Sequence, residues 1–554
     1  MPRIPSFVRW GRRTRTRAAL GVLCCALAGV TIRGDAQAQA PSNTSATESV
    51  RQVAYLKASN PEASDHFGCG GVNQGHTGQG VAISADGTTL VIGAPHESSN
   101  ARGINGNQRD NSEFDAGAAY VFIRNGDRWA QQAYLKASNP QDSAEFGHSV
   151  ALSADGNTLA ISAHWEASKA TGINGDQSDR SIPQAGAVYV FTRRGAAWTQ
   201  QAYVKASNTG EAGTADAFGE GDQFGFSLAI SADGNTLAVG ALTEDSGSAG
   251  INGNQADNSA ASAGAVYVYS RAGTTWSQQA YVKSANIDAG DMFGYAVALN
   301  ADGSVLAVGS FDEDGSGRSI NAPPDNRSAG AGAAYVFTRA GAVWSQQAYI
   351  KPSNLETQDS FGVDVKLSDD GNTLLVGSLD EDCAATGVNL PGCDTDWRED
   401  LSMGAAYVFV RTGGTWSQQA FIKASNTGFN DWFGARVALS GDGNTAAIAA
   451  PLEDSAAKGI NGRQNDDSAT DAGAVYLFTR TGTTWRQQAY IKGSNTEAFD
   501  EFGSAVALER TGRTLMVTAR GEDSAATGLN GNQADNSAAE AGAAYAFRID
   551  PVTR

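Results

Sequence analysis

The sequence predicts an all-β fold, a seven-bladed β-propeller of four-stranded antiparallel blades. Three observations carry this. In repeat phase a Phe-Gly pair returns seven times, at Phe67, Phe146, Phe224, Phe293, Phe361, Phe433 and Phe502, spaced 79, 78, 69, 68, 72 and 69 residues apart. Such a period marks units that bury their faces against neighbouring copies. Each period holds four short runs rich in Val, Ala, Tyr and Leu, separated by turn residues, which is the pattern of consecutive antiparallel strands. The seventh period lacks its fourth run, whereas residues 50–60 near the N-terminus repeat it, with Val50 in the usual Trp position. The N-terminal strand is therefore expected to complete the last blade, closing the ring and hiding the edge strands that invite aggregation.

Taken in chain order, Arg3, Arg9, Arg12, Arg13, Arg15 and Arg17 precede an apolar run over 18–32, and Ala36-Gln37-Ala38 supplies small residues suited to cleavage. Residues 1–38 are read as a signal peptide. General secretion suits it better than twin-arginine export, since Thr14-Arg15-Thr16 follows the Arg pair where apolar residues are favoured. Residues 39–48, rich in Ser, Thr and Ala, are read as a linker, 49–551 as the propeller and 552–554 as a tail. No stretch reaches the ~18–20 apolar residues of a spanning helix, so no membrane span is expected. Loss of seven Arg and one Asp with the leader takes the formal charge from −19 to −25. That surface repels nucleic acid and anionic lipid, and favours cations or basic partners.

Within the third period the predicted strands are 226–231, 236–241, 264–269 and 276–283. Asp233-Gly234 joins the first two, Gly supplying the positive φ of a tight hairpin turn. Asp-Gly recurs there in five other copies, and Thr511-Gly512 is the exception. The third run carries Tyr120, Tyr189, Tyr267, Tyr335, Tyr407, Tyr476 and Tyr545, each followed two residues later by Phe or Tyr. Both faces of every sheet thus read as partly apolar, as in sheets packed face to face around an axis.

The opening Phe-Gly, the Gly93-Ala94-Pro95 of the first copy and the Ala-Gly-Ala-x-Tyr-Val-Phe strand resemble the FG-GAP repeats of the integrin α-subunit headpiece, found also in secreted bacterial proteins. The resemblance covers 49–549. It implies a seven-bladed propeller and a binding or adhesion role, and it implies a calcium motif between the first and second strands, with oxygen ligands at alternate positions. Here Asp155 is kept, but Ala151, Ser153 and Leu159 stand where further ligands are expected. Similar losses recur in every copy, so a plain hairpin turn is the better reading.

Hairpin connectivity places the second-to-third and fourth-to-first loops on one face. The former run to about twenty residues, as over 244–264, a length that points to function or disorder. Glu97, Glu166, Glu244, Glu313, Glu381, Glu453 and Glu522 begin these loops, and Asp65, Asp222, Asp291, Asp359, Asp431 and Asp500 stand two residues before Phe-Gly. Two readings stand. The carboxylates either form a ring on the binding face or fasten the loops by accepting their backbone N–H groups. Asn252, Asn254, Asp257 and Asn258, with copies at Asn105, Asn107, Asp110 and Asn111 and at Asn530, Asn532, Asp535 and Asn536, offer the hard oxygens of a Ca2+ site, the one cofactor the sequence suggests. His66, His76, His96, His148 and His164 all fall in the first two copies and, with Cys69, could instead hold a transition metal. Cys383 and Cys393 share one loop and could pair in an oxidising compartment.

No Ser-His-carboxylate trio, metallopeptidase helix or nucleophile elbow is present. The chain is expected to be a non-catalytic binding or adhesion module, exported to the cell surface, periplasm or medium. It is expected to act as a monomer that presents its long acidic loops to a protein or polysaccharide. Trp165, Trp397 and Trp432 break the repeat and are expected to be exposed anchors, since Trp often dominates interface energy. The alternatives are an extracellular propeller enzyme acting on polysaccharide or lactones, in which two of the carboxylates would act, and a purely structural envelope protein.

Overall fold

The computed structural model describes residues 49–69, 78–126, 128–210, 221–390, 393 and 401–550. The leader and linker, His76, Trp397 and the 552–554 tail lie outside the described residues. Twenty-eight strands form seven four-stranded antiparallel sheets, and the described residues contain no helix. Six blades run in chain order from the axis outwards. The seventh is Phe502–Leu508, Thr514–Ala519, Ala543–Asp550 and, outermost, Ser49–Leu56. The ring is closed by the N-terminal strand, as expected.

The third blade shows the local logic. Its strands are Phe224–Ile230, Thr236–Ala241, Ala265–Ala272 and Thr275–Val282. The outer hairpin is longer than the apolar pattern suggests, because Arg271 lies over the Trp276 ring at 5.3 Å and both donate to Gln201 Oε1 of the preceding blade. A charged residue at a strand end is thus held by cation–π and hydrogen-bond contacts. At the inner hairpin Gly234 takes φ +69°, and Asp233 Oδ1 accepts the Ser231 hydroxyl (2.6 Å) and the Asn235 N–H (2.9 Å). Asp155 is used in the same way. In the seventh blade Glu509 does this work, accepting the N–H groups of Thr511 and Arg513, which explains how Thr511 can stand where the others have Asp.

The Phe-Gly pair is the seam between blades. Phe293 N–H donates to Ala263 O of the preceding blade (2.9 Å), and its ring meets Tyr335 edge-on with centroids 5.4 Å apart. Such a ring pair adds ~0.5–1.5 kcal/mol to the area it buries. Gly264, at φ +77°, lies so close that a Cβ would stand 2.2 Å from Phe293 O. The apolar clusters each span neighbouring blades. Both faces of a blade are therefore buried, as the patterning predicts. Cys383 and Cys393 form a disulfide.

Candidate binding face and axial cluster

The second-to-third loops and the fourth-to-first loops do share one face, where they bond to one another: Asn139 Nδ2 donates to Gln177 O (3.0 Å) and Ser425 Oγ to Gln464 Oε1 (2.6 Å). The ring of exposed carboxylates is not found there. All seven loop-opening glutamates are buried, at 0–3 % exposure, each paired with the lysine that directly follows its own blade's outermost strand and is at most 1 % exposed. These lysines are Lys136, Lys205, Lys283, Lys351, Lys423 and Lys492, with Lys57 serving Glu522. Around Glu244, Oε2 accepts Lys283 Nζ (2.7 Å) and the Ser246 N–H (3.1 Å), while Oε1 accepts the Tyr281 hydroxyl (2.7 Å) and Asn208 Nδ2 (3.0 Å). Four donors compensate the desolvated charge, and Asn208 ties the network to the preceding blade. The glutamates fasten the ring; a buried charge left without such partners would be costly.

The six aspartates are buried too, at 3–6 % exposure. Each accepts a loop N–H, as Asp291 does from Asp288 (2.8 Å) and Asp222 from Gly210 (2.8 Å). Burial, reinforced by the neighbouring glutamate, pushes Asp65, Asp222, Asp291 and Asp431 up to about 8, Asp500 to about 7, and Asp359 well above its usual range. The unfolded carboxyl releases its proton near pH ~4. From there to about pH 8 the folded chain holds protons that the unfolded chain has lost, so this contribution is full below pH ~4 and fades as pH rises. The thermal midpoint is expected to fall between about pH 5.5 and pH 8.5, with a smaller fall in Asp222→Asn. A flat profile, or an unchanged slope in that variant, would show that these aspartates are ionised throughout.

The proposed calcium oxygens are engaged with backbone. Asn252, at φ +56°, accepts the Tyr281 N–H (3.0 Å), Asn254 that of Ala256 (3.1 Å) and Asp257 that of Ser259 (3.2 Å). The first copy uses Asn105, Asn107 and Asp110 in this way, and the last uses Asn530, Asn532 and Asp535. Asn111 and Asn536 donate to Glu62 and Glu497 of the adjoining loop. The asparagines act as pegs that dock each long loop on its blade.

What varies around the ring is the axis end of this face. The residue before Phe-Gly is His66, Glu145, Gln223, Met292, Ser360, Trp432 and Glu501 in turn. All sit at φ between +52° and +58°. The residue after Phe-Gly is Cys69, His148, Phe226, Tyr295, Val363, Ala435 and Ser504. Below them lies an axial space of about 410 Å³, including its open mouth, lined by residues of all seven blades. Asp364 and Arg436 face it, with Asp364 Oδ1 on Lys366 Nζ at 2.5 Å.

The mouth has two halves. Blades three and four supply Phe226, Tyr295 and Phe311, with ring centroids 5.1 Å and 4.4 Å apart in succession. Blades seven, one and two supply a polar arc: Arg520 on Glu501, His66 on Glu540 (3.1 Å), His66 Nδ1 to His96 Nδ1 (3.0 Å), and His96 Nε2 3.7 Å from Glu145 Oε1. His148 Nδ1 and His164 Nε2 stand 3.7 Å and 3.8 Å from Glu145 Oε2. Burial, then the charge of His96, lowers His66 to about 4, and burial pushes the Cys69 thiol up to about 12. Four of the five histidines do gather here. The carboxylate that three of them approach, Glu145, is not visible as special from spacing alone.

The FG-GAP repeat family matches at residues 129–191 and 416–478. Each match runs from the Trp that opens an outermost strand to the aromatic residue of the next blade's third strand, and so spans the Phe-Gly seam. The chain carries FG-GAP repeats on a seven-bladed propeller. Comparison with the curated proteins returned no match. Among solved structures, the Pseudomonas aeruginosa periplasmic gluconolactonase PpgL is 14 % identical over 81 % of this chain and 98 % of that one, with a TM-score of 0.42. The β-propeller domain of Myceliophteria thermophila Cps50 (Swd1) is 10 % identical over 80 % and 94 %, with a TM-score of 0.39. At these scores neither likeness speaks to this chain's chemistry.

On the rim of this FG-GAP propeller the aromatic anchors differ from those expected. Trp165 is half-buried, packed on His164 with centroids 5.3 Å apart, and Trp432 is half-buried at φ +58°. Among the described residues the exposed rings are Phe114, Phe429 and Phe499, at 65 %, 55 % and 62 % exposure. Phe429 and Phe499 stand where the other copies carry small or polar residues just ahead of Phe-Gly. That departure was legible in the repeat; the smaller size of Phe against Trp hid it.

Proposed function

We propose that this FG-GAP propeller is an exported, non-catalytic binding module that seats a protein or polysaccharide partner across its loop face, over the axial mouth. One observation carries the reading. The strands, turns, seams and Glu–Lys networks repeat nearly unchanged, while the positions flanking Phe-Gly at the axis differ in nearly every blade. A ring that only had to stand would have no use for that asymmetry at one end. Rigid scaffolds with variable loop residues are the usual way to build a binding surface. Export agrees with the Arg-rich leader and with FG-GAP repeats being typical of extracellular proteins. No helix among the described residues is long and apolar enough to cross a membrane.

Phe429 and Phe499, with the half-buried Trp432 close by in the chain, are the anchors to test, because exposed aromatic side chains give large contact area for little lost entropy. The full chain, immobilised, is offered a panel of soluble polysaccharides and solubilised envelope proteins. The triple variant Phe429→Ser, Phe499→Ser and Trp432→Ala is expected to lose at least about tenfold in affinity, or ~1.4 kcal/mol, for whatever the native chain retains. Retention of every ligand at native affinity by the variant would sink this reading. A second reading, an extracellular hydrolase acting on polysaccharide or lactones, is favoured only by the Glu145 cluster; it predicts turnover that His148→Gln abolishes.

A further inference from the structure

We infer that Glu145, His148 and His164 form a binding site for one divalent transition-metal ion, zinc in the first place. The three come from a single blade. Glu145 precedes Phe146, His148 follows Gly147, and His164 follows the strand Thr158–Ala163. They are 4 %, 0 % and 3 % exposed, and one ligand atom from each lies within 4.8 Å of the other two.

The distances suit a metal better than they suit hydrogen bonds. His148 Nδ1 and His164 Nε2 stand 3.7 Å and 3.8 Å from the same carboxylate oxygen, beyond hydrogen-bond range. Two ligands on zinc at ~2.0–2.1 Å in tetrahedral geometry are ~3.4 Å apart, within a few tenths of an ångström of both of these histidine–carboxylate separations. His148 makes the case sharper. Its ring is fully buried and neither ring nitrogen has a hydrogen-bond partner, a costly state for a polar group in the interior. A bound cation satisfies one nitrogen directly. The two imidazole rings lie 3.7 Å apart and tilted by 34°, close enough that two imidazolium charges would repel, whereas two neutral rings can share an ion.

The surroundings supply orientation. Glu145 is fixed by its N–H bond to Asp115 O (3.0 Å) and by φ +55°. On its other oxygen His96 Nε2 approaches to 3.7 Å, with His96 Nδ1 bonded to His66, the kind of outer support that sets the tautomer of a histidine. Two imidazoles and one carboxylate form a donor set suited to Zn2+ with a fourth position for water or a partner's group. The carbonyl-rich cage that calcium takes is absent from these three residues.

The inference does not depend on the partner reading, and its test needs no partner. The full chain is stripped with chelator, dialysed and titrated with zinc chloride, and bound metal is counted by elemental analysis. Cobalt(II) substitution then reports the coordination geometry by its visible absorption. One zinc per chain is expected, with Glu145→Gln and His164→Gln weakening it at least about tenfold and Asp257→Asn leaving it unchanged, as the loss of a ligand predicts. If His148→Gln fails to fold, the other two variants decide. No bound zinc in the native chain, or equal affinity in Glu145→Gln and His164→Gln, overturns the inference.

Discussion

Lys283→Met should lower the stability of the folded ring by about 3–5 kcal/mol, because it leaves Glu244 charged and buried without its cation. Glu244 would keep the Tyr281, Asn208 and Ser246 donors, which moderates the loss but does not neutralise the charge. Removing both charges, as in Glu244→Leu with Lys283→Met, should recover much of it, since a well-packed apolar pair often replaces a buried ion pair at little net change. By contrast, Arg51→Ala removes an ion pair to Asp550 at 3.6 Å in which both side chains are at least 36 % exposed, and about 0–1 kcal/mol is expected. Chemical unfolding of the four chains measures this. Equal losses for Lys283→Met and Arg51→Ala would show that the buried networks do not hold the ring.

Gly264→Ala and Gly273→Ala place the same methyl group at nearly the same backbone angle, φ +77° and +64°. Their outcomes should differ. At Gly273 nothing lies within 4 Å of the new Cβ, so only the left-handed conformation costs, about 1–2 kcal/mol. At Gly264 the Cβ would stand 2.2 Å from Phe293 O and 2.5 Å from its N, and backbone cannot swing aside as a flexible side chain does. The blade seam must open, adding ~1–3 kcal/mol of overpacking to the conformational cost. Thermal midpoints of the two variants give the comparison. Indistinguishable midpoints would mean that the Phe-Gly seam is not under packing constraint.

Most of the fold is legible in the sequence. The Phe-Gly period, the Asp-Gly turns and the displaced fourth strand at 50–60 gave blade number, strand order and closure, because each is local: a turn needs its glycine within a few residues of the strands it joins. The candidate site was legible only in part. Clustering of four histidines near one face followed from the repeat phase. The inward turn of the glutamates did not, although a signal existed: each copy carries one lysine two residues after an aromatic, as in Tyr281 and Lys283, and seven glutamates matched by seven lysines in fixed phase imply pairing.

The sequence by itself therefore determined the ring, its seven members and the face on which its long loops lie. Only the tertiary structure decided which polar groups look inward. Glu244 meets a lysine 39 residues away and an asparagine 36 residues away across a seam, and burial of that charge depends on all of these arriving together. Glu145 reaches the axis for a different reason. The residue before Phe-Gly must adopt positive φ to bring the following Phe N–H onto the preceding blade, as Phe146 bonds Ala116 O at 3.1 Å. Side-chain direction at such a position is set by the seam and not by strand alternation, so no periodicity in the chain could announce it.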